Sequence, residues 1–300
     1  MRVATIPLQK TTMDAIRRSQ EALADTQAQL STGKKAPDIA SLGTEAVRTL
    51  SAHSMLARQE AQGDTAKRLG TTLSLYDANI STIEDEGMSL SKRILTAIGS
   101  GDAAGLNEAI DSAFSLMRSA LNGQEGGVPL FGGGSSQPPF KPEKIADLIG
   151  MDPADAFTNG TARASARVGD RLDVQYGVLA NEVGTDMVKA FQSLAAIGPF
   201  DQKLTDAQSA ALKSAQAELE TGITTVRKYN ADNGRRQAQA ETLVTRADER
   251  SLVLNDVIAR NEDADLGQVA MDLAQQQTML RASYSVFSQL NSMSLVDYLR

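Results

Sequence analysis

The chain has 300 residues, 30 Lys and Arg against 37 Asp and Glu, one His and no Cys. The missing thiols exclude a disulfide framework, a thiol nucleophile and a cysteine-held zinc site, and any histidine-based catalytic or metal cluster would have to be built around His53 alone. A net charge of −7 and a pI near 4.9 argue against nucleic-acid binding, which needs a concentrated basic surface. Aromatic residues make up only 4% with no Trp, so the core is expected to be Ala, Leu, Ile and Val packed between helices.

At the N-terminus, Lys10 interrupts the apolar run after Met1 before it reaches the length of a secretory signal, so export with a cleaved signal peptide is not expected. Ile6, Met13, Ile16, Leu23 and Leu30 form one heptad stripe, and Gly33 is placed to end that helix as a C-terminal cap. A long helix follows from about Leu42. Its seam, Leu69, Leu73, Tyr76, Ile80, Ile83, Leu90 and Ile94, alternates spacings of four and three, with Gly87 in the one gap. Leu106, Ile110, Ala113, Met117 and Leu121 predict a third helix between Gly99 and Gly123.

The centre changes character. Six of the eight Pro, together with Gly132, Gly133 and Gly134, fall between Gly123 and Phe200, and the alternation Leu172-Asp173-Val174-Gln175-Tyr176 reads as a strand. The uncharged stretch from Gly126 to Phe140 is too rich in Gly and Pro for a membrane helix, so no membrane insertion is expected.

A capping box, Thr205 with Gln208, opens the second long helix. Its seam runs through Leu219, Ile223, Val226, Asn230, Asn233, Gln237, Ala240, Val244, Ala247, Ser251, Leu254 and Ile258. Two helices this long in one chain are expected to pack antiparallel, with the amides either buried to fix register or facing solvent. Leu266, Leu273, Leu280, Phe287 and Leu290 complete a C-terminal stripe, with Gln276 and Ser283 as polar seam positions.

The predicted fold is therefore mainly α: a long antiparallel helical bundle or coiled coil formed by the N- and C-terminal segments, with a small mixed α+β central domain. The expected divisions are 1–40 and 261–300 as assembly helices, 41–122 and 204–260 as the halves of a helical rod, and 123–203 as an outward-facing middle. The narrow terminal stripes bury too little in a monomer to offset chain entropy, so they are expected to order on partner subunits.

Chemical motifs are weak by comparison. Asn261 to Gly267 alternates oxygen donors, but its glycine falls one place late for a calcium loop and Asp272 stands where a bidentate Glu is needed; a polar break between helices is the plainer reading. Glu84, Asp85 and Glu86 are adjacent and point to different sides of a helix. The glycine triplet lacks the Lys and the following helix of a phosphate loop, and reads as a turn. His53 reads as a surface or packing residue, and Asn159-Gly160-Thr161 is a bare three-residue glycosylation match. No catalytic residue, metal or cofactor is expected.

Gln29-Leu30-Ser31-Thr32-Gly33-Lys34 resembles the turn of the flagellin superfamily, and Asn261 through the Gln-rich helix to Ser294-Leu295-Val296-Asp297-Tyr298-Leu299 resembles that family's terminal region. The start Met1-Arg2-Val3-Ala4-Thr5, the close at Leu299, and Leu130-Phe131-Gly132-Gly133 with Pro138-Pro139-Phe140 are most similar to its hook-filament junction branch. Arg300 is more like a filament flagellin, and Ala36-Pro37-Asp38-Ile39-Ala40 departs from the family's paired-Asp-Pro turn.

The resemblance implies a non-enzymatic structural subunit of the bacterial flagellum, joining hook-associated proteins to the flagellin filament. It implies an extracellular location reached by type III export without a cleaved signal. The implied partners are flagellin, the other junction protein, copies of itself in a ring, and a cytoplasmic export chaperone on the C-terminal helix. Ile6, Met13, Ile16, Leu23, Leu30, Leu273, Leu280, Phe287 and Leu290 are the residues expected to be buried between subunits. A minor filament flagellin is the alternative within the family. A secreted module whose middle recognises a glycan or surface is the alternative outside it.

Overall fold

The computed structural model describes residues 5–169 and 172–298, with side chains described from 10 to 169 and from 172 to 289. Six helices carry the fold: α1 (Thr5–Thr32), α2 (Ala46–Ser100), α3 (Leu106–Leu121), α4 (Ala180–Ile197), α5 (Asp206–Glu262) and α6 (Leu266–Tyr298). Between α3 and α4 lie two antiparallel two-stranded sheets, β1 (Gln124–Glu125) with β2 (Val128–Pro129), and β3 (Ala164–Gly169) with β4 (Leu172–Tyr176). The mainly α architecture expected from the periodicity is the one observed. Among the described residues no helix is long and apolar enough to cross a membrane.

The helix boundaries follow from local chemistry. Gly33 ends α1 with φ +70°, the left-handed conformation that glycine adopts without penalty, and its N–H donates to the Gln29 carbonyl at 2.8 Å. Thr205 and Gln208 form the expected reciprocal cap of α5: the Gln208 N–H donates to Thr205 Oγ1 and the Thr205 N–H to Gln208 Oε1, both at 3.1 Å. The polar break near residue 264 is the N-cap of α6, where Asp265 Oδ1 accepts from the Gly267 N–H at 2.9 Å.

The chain divides into two compact units. One comprises residues 60–248, the other residues 1–59 with 249–300. In the 60–248 unit α2 and α5 run antiparallel. Asn233 Nδ2 donates to the Leu73 carbonyl at 2.9 Å, Asn230 Nδ2 to Ser81 Oγ at 3.1 Å, Arg227 Nε to Glu84 Oε1 at 2.7 Å and Ser91 Oγ to Glu220 Oε1 at 2.6 Å. Asn230 and Asn233 thus turn inward. Asn233 is buried, and its bond to a main-chain carbonyl removes the desolvation cost while fixing register.

All seven seam residues from Leu69 to Ile94 are buried. Gly87 completes the seam because a Cβ there would meet Ile223 Cγ1 at 3.0 Å and Met187 Cε at 3.2 Å. Helices α3 and α4 pack onto the same core, where the Phe114 ring meets Phe140 at 5.9 Å and Phe191 at 5.6 Å between centroids. Val168 and Val174 of the β3–β4 hairpin close a smaller cluster with Ala66, Leu69, Leu73 and Ala240. Residues 132–134 form the expected turn, closed by the Ser135 N–H donating to the Gly132 carbonyl at 3.0 Å, and the Gly160 N–H donates to the same carbonyl at 2.9 Å.

Candidate assembly surface

In the unit of residues 1–59 and 249–300, α1 and α6 pair antiparallel. Gln20 Nε2 donates to the Tyr284 hydroxyl at 2.6 Å at one end, and the Ala264 N–H donates to the Gly33 carbonyl at 2.8 Å at the other. Of the stripe predicted on α1, Ile16 is buried, Leu23 is half-buried, and Met13 and Leu30 are 57% and 41% exposed. On α6, Leu273, Leu280 and Phe287 are half-buried. The side chains of Ile6 and Leu290 lie outside the described residues.

Helix α6 is apolar on more than the predicted stripe. Met271 is 62% exposed, and Leu266, Met279, Tyr284 and Val286 also stand open to solvent. The unit's segments of α2 and α5 add exposed Val47, Leu50, Met55, Leu252 and Val253. The stripe reasoning picked one face of each terminal helix and passed over these residues. Their signal was composition: α6 carries Leu, Met, Val, Tyr and Phe at positions all around its circumference, the pattern of a helix covered on several sides.

At the base of the α1–α6 pair a polar clasp ties the turn after α1 to the end of α5. Lys34 Nζ lies 2.6 Å from Asp263 Oδ1 and 3.3 Å from Glu262 Oε2. Glu262 Oε1 lies 2.5 Å from His53 Nε2 of α2. The main chain is joined as well: the Lys35 N–H donates to the Glu262 carbonyl at 2.6 Å, and Lys35 Nζ donates to the Arg260 carbonyl. Beside it Asn261 Nδ2 donates to Thr49 Oγ1 at 3.1 Å, and Thr49 is fully buried.

The charges respond to this arrangement. The hydrogen bond with His53, together with Lys34, holds the Glu262 carboxyl below its ordinary range, and the bond to Asp263 raises the Lys34 ammonium above its own. In the turn that departs from the family pattern, the Ser41 side chain and then the Ser41 N–H, which Asp38 Oδ1 accepts at 2.8 Å, lower the Asp38 carboxyl. His53 is therefore a clasp residue. Sequence reasoning missed it because its partner lies 209 positions away. The arrangement is one of cross-linking: among the described residues no group of three His, Cys, Asp or Glu side chains could hold a metal ion.

Residues 203–299 match the model of the bacterial flagellin C-terminal helical region. A protein of Vibrio parahaemolyticus described as a flagellar hook-associated protein superposes with a TM-score of 0.60 at 14% identity, covering 73% of this chain and 97% of that one. FlgL of Bacillus cereus superposes with a TM-score of 0.59 at 14% identity, covering 70% of this chain and 99% of its own. At that identity the likeness is one of fold. No curated protein matches the chain by sequence.

Proposed function

We propose that this chain, a flagellin-superfamily protein by its C-terminal third, is a structural and non-enzymatic subunit of the bacterial flagellum at the junction between hook-associated proteins and the flagellin filament. The observation that carries the reading is the unit of residues 1–59 and 249–300. Its helices α1 and α6 pair with each other and still leave large apolar side chains open to water on both. Contiguous exposed apolar surface is unfavourable in an isolated soluble chain and marks a protein interface.

In this reading Met13, Ile16, Leu23, Leu30, Leu273, Leu280 and Phe287, with Ile6 and Leu290, are buried between neighbouring subunits, and the terminal helices complete their packing on those neighbours. The neighbours are copies of this chain in a ring, flagellin on one side and the other junction protein on the other. Before export a cytoplasmic chaperone covers α6, whose apolar circumference would otherwise drive premature association. The chain then reaches the cell exterior through the flagellar type III apparatus without a cleaved signal.

The test is electron microscopy of the purified chain under salting-out conditions, with and without filament seeds. A junction subunit remains short alone and adds only at hook ends or blocks seed growth. Indefinite filaments made by the chain alone would overturn the junction reading in favour of a minor flagellin, because an open helical lattice needs only self-complementary ends.

A further inference from the structure

The chain has ten Met and no Cys, so thioethers are its only sulfur. They divide between the two units. In the 60–248 unit Met117 and Met187 are each 1% exposed, and Met88 and Met151 are half-buried against the same core. In the unit of residues 1–59 and 249–300, Met13, Met55, Met271 and Met279 are 57%, 47%, 62% and 53% exposed. The side chains of Met1 and Met293 lie outside the described residues.

On α6 the two exposed methionines share a face. Val269, Leu273, Leu280 and Phe287, the stripe turned toward α1, lie within about 40° of one another around the helix at 3.6 residues per turn. Tyr284, which accepts from Gln20 of α1, flanks that stripe. Met271, Met279 and Val286 lie on another side, roughly 120° further round. There Met271, Gln275, Met279, Ala282 and Val286 advance in steps of four and three, and all are exposed. This is a second heptad seam, left open to solvent.

A thioether is apolar until it gains a single oxygen atom. Its sulfur lone pair attacks one oxygen of a peroxide, and the S–O bond forms as the O–O bond breaks. The sulfur is oxidised by two electrons, and the second oxygen takes the proton of the first and leaves as water. The product, a sulfoxide, is polar and accepts hydrogen bonds, so burying it against an apolar neighbour is unfavourable. Leu at the same positions would be as apolar and inert. We propose that Met271 and Met279, with Met13 and Met55, are sites of reversible oxidation by peroxides, and that their sulfoxides close this surface to association. A dithiol-dependent sulfoxide reductase reopens it, the oxygen leaving as water while the dithiol becomes a disulfide. The chemistry stands on exposure, and its consequence for incorporation rests on the assembly reading above.

The test treats the full-length monomeric chain with hydrogen peroxide and maps the products by peptide mass spectrometry. Retention on a hydrophobic-interaction column and incorporation at filament or hook ends are then compared with the untreated chain. Met13, Met55, Met271 and Met279 should oxidise about tenfold or more faster than Met117 and Met187, because attack needs access to the sulfur. Retention should shorten with helical content unchanged. Incorporation should fall about tenfold or more, and should return after treatment with methionine sulfoxide reductase and dithiothreitol. A variant carrying Met13→Leu, Met55→Leu, Met271→Leu and Met279→Leu should keep its retention and incorporation through peroxide treatment. Met271→Gln with Met279→Gln should match the oxidised chain without peroxide. Equal oxidation of Met117 and Met271, equal retention before and after oxidation, undiminished incorporation of the oxidised chain, or a Leu variant as sensitive as the parent would each overturn the proposal. An untreated chain that fails to incorporate, while oxidation still shortens its retention, would sink the junction reading and leave this one standing.

Discussion

Helices α2 and α5 each run through both compact units, and the same kind of apolar residue meets two fates along one continuous helix. Beyond residue 60, Leu73, Ile80, Leu219 and Val226 are sealed from solvent. In the other unit, Val47 on α2 is 79% exposed and Leu252 on α5 is 73% exposed. Helix propensity does not distinguish the two stretches. What differs is cover: the 60–248 unit surrounds its helix pair with α3, α4 and the β3–β4 hairpin, whereas the other unit adds only α1 and α6. A long amphipathic helix therefore reports only that it needs partners, and whether those partners lie in the same chain is set by the flanking segments.

The sharpest way to break this comparison is to charge the uncovered side. Leu280→Asp or Phe287→Asp should abolish incorporation into filament-end assemblies, because each places a carboxylate in an interface that would have to desolvate it. The same variants should leave the unfolding free energy of the 60–248 unit, read from urea denaturation, within about 0.5 kcal/mol of the parent. Seeded growth scored by electron microscopy beside a denaturation curve reads both. Incorporation at the parental level would remove α6 from the assembly surface.

The converse change is made in the covered unit. Phe191→Ala removes a ring buried against Phe114 and should destabilise that unit by about 3–5 kcal/mol through lost burial and the cavity left behind. Asn233→Ala should cost less, about 0.5–1.5 kcal/mol, because it removes the side-chain bond to the Leu73 carbonyl while that carbonyl keeps its partner within α2. Denaturant midpoints rank the two. A neutral Asn233→Ala would mean that register is fixed by apolar packing alone.

The covered unit was also the more legible one. The seams from Leu69 to Ile94 and from Leu219 to Ala247, the Thr205–Gln208 cap and strand β4 each rest on a spacing shorter than a few turns, which a sequence displays directly. Helix α4 was not read as a separate element, although Val183, Met187, Phe191 and Leu194 repeat at helical spacing. Gly184 obscured it. That glycine is required by tertiary packing, since a Cβ there would meet the Phe157 ring at 2.8 Å, and no local pattern announces such a contact. On the assembly side, the terminal stripes gave the helices but not their exposure, because which turns of a stripe are covered depends on the neighbouring helices and not on the spacing within one helix. The clasp was invisible for a different reason: it joins Lys34, His53 and Glu262, and charged pairs so far apart in sequence leave no periodic trace.

The smallest expected effect lies in that clasp and follows from the sign of one titration. Glu262 is held below its ordinary value, so its contribution to joining the α1 turn to the end of α5 is fully present above the unfolded value and is lost as pH falls through the lowered one. Lys34 is raised, so its share is present below its unfolded value and is lost only as pH rises through the raised one, far into the alkaline range. The window in which the clasp weakens under mild treatment is therefore acidic. Hydrogen exchange normalised to intrinsic rates should show the Lys35 and Ala264 amides, which bond the Glu262 and Gly33 carbonyls, losing protection below the ordinary carboxylate range while amides in the middle of α4 keep theirs. Glu262→Gln should remove that acid dependence, and His53→Ala should return the Glu262 carboxyl toward its ordinary value in an NMR titration, because the bond from His53 is the largest cause of the shift. If protection at Lys35 and Ala264 instead tracks the α4 amides at every pH, the two units do not differ in what holds them, and charge at the base of the α1–α6 pair contributes nothing beyond its main-chain bonds.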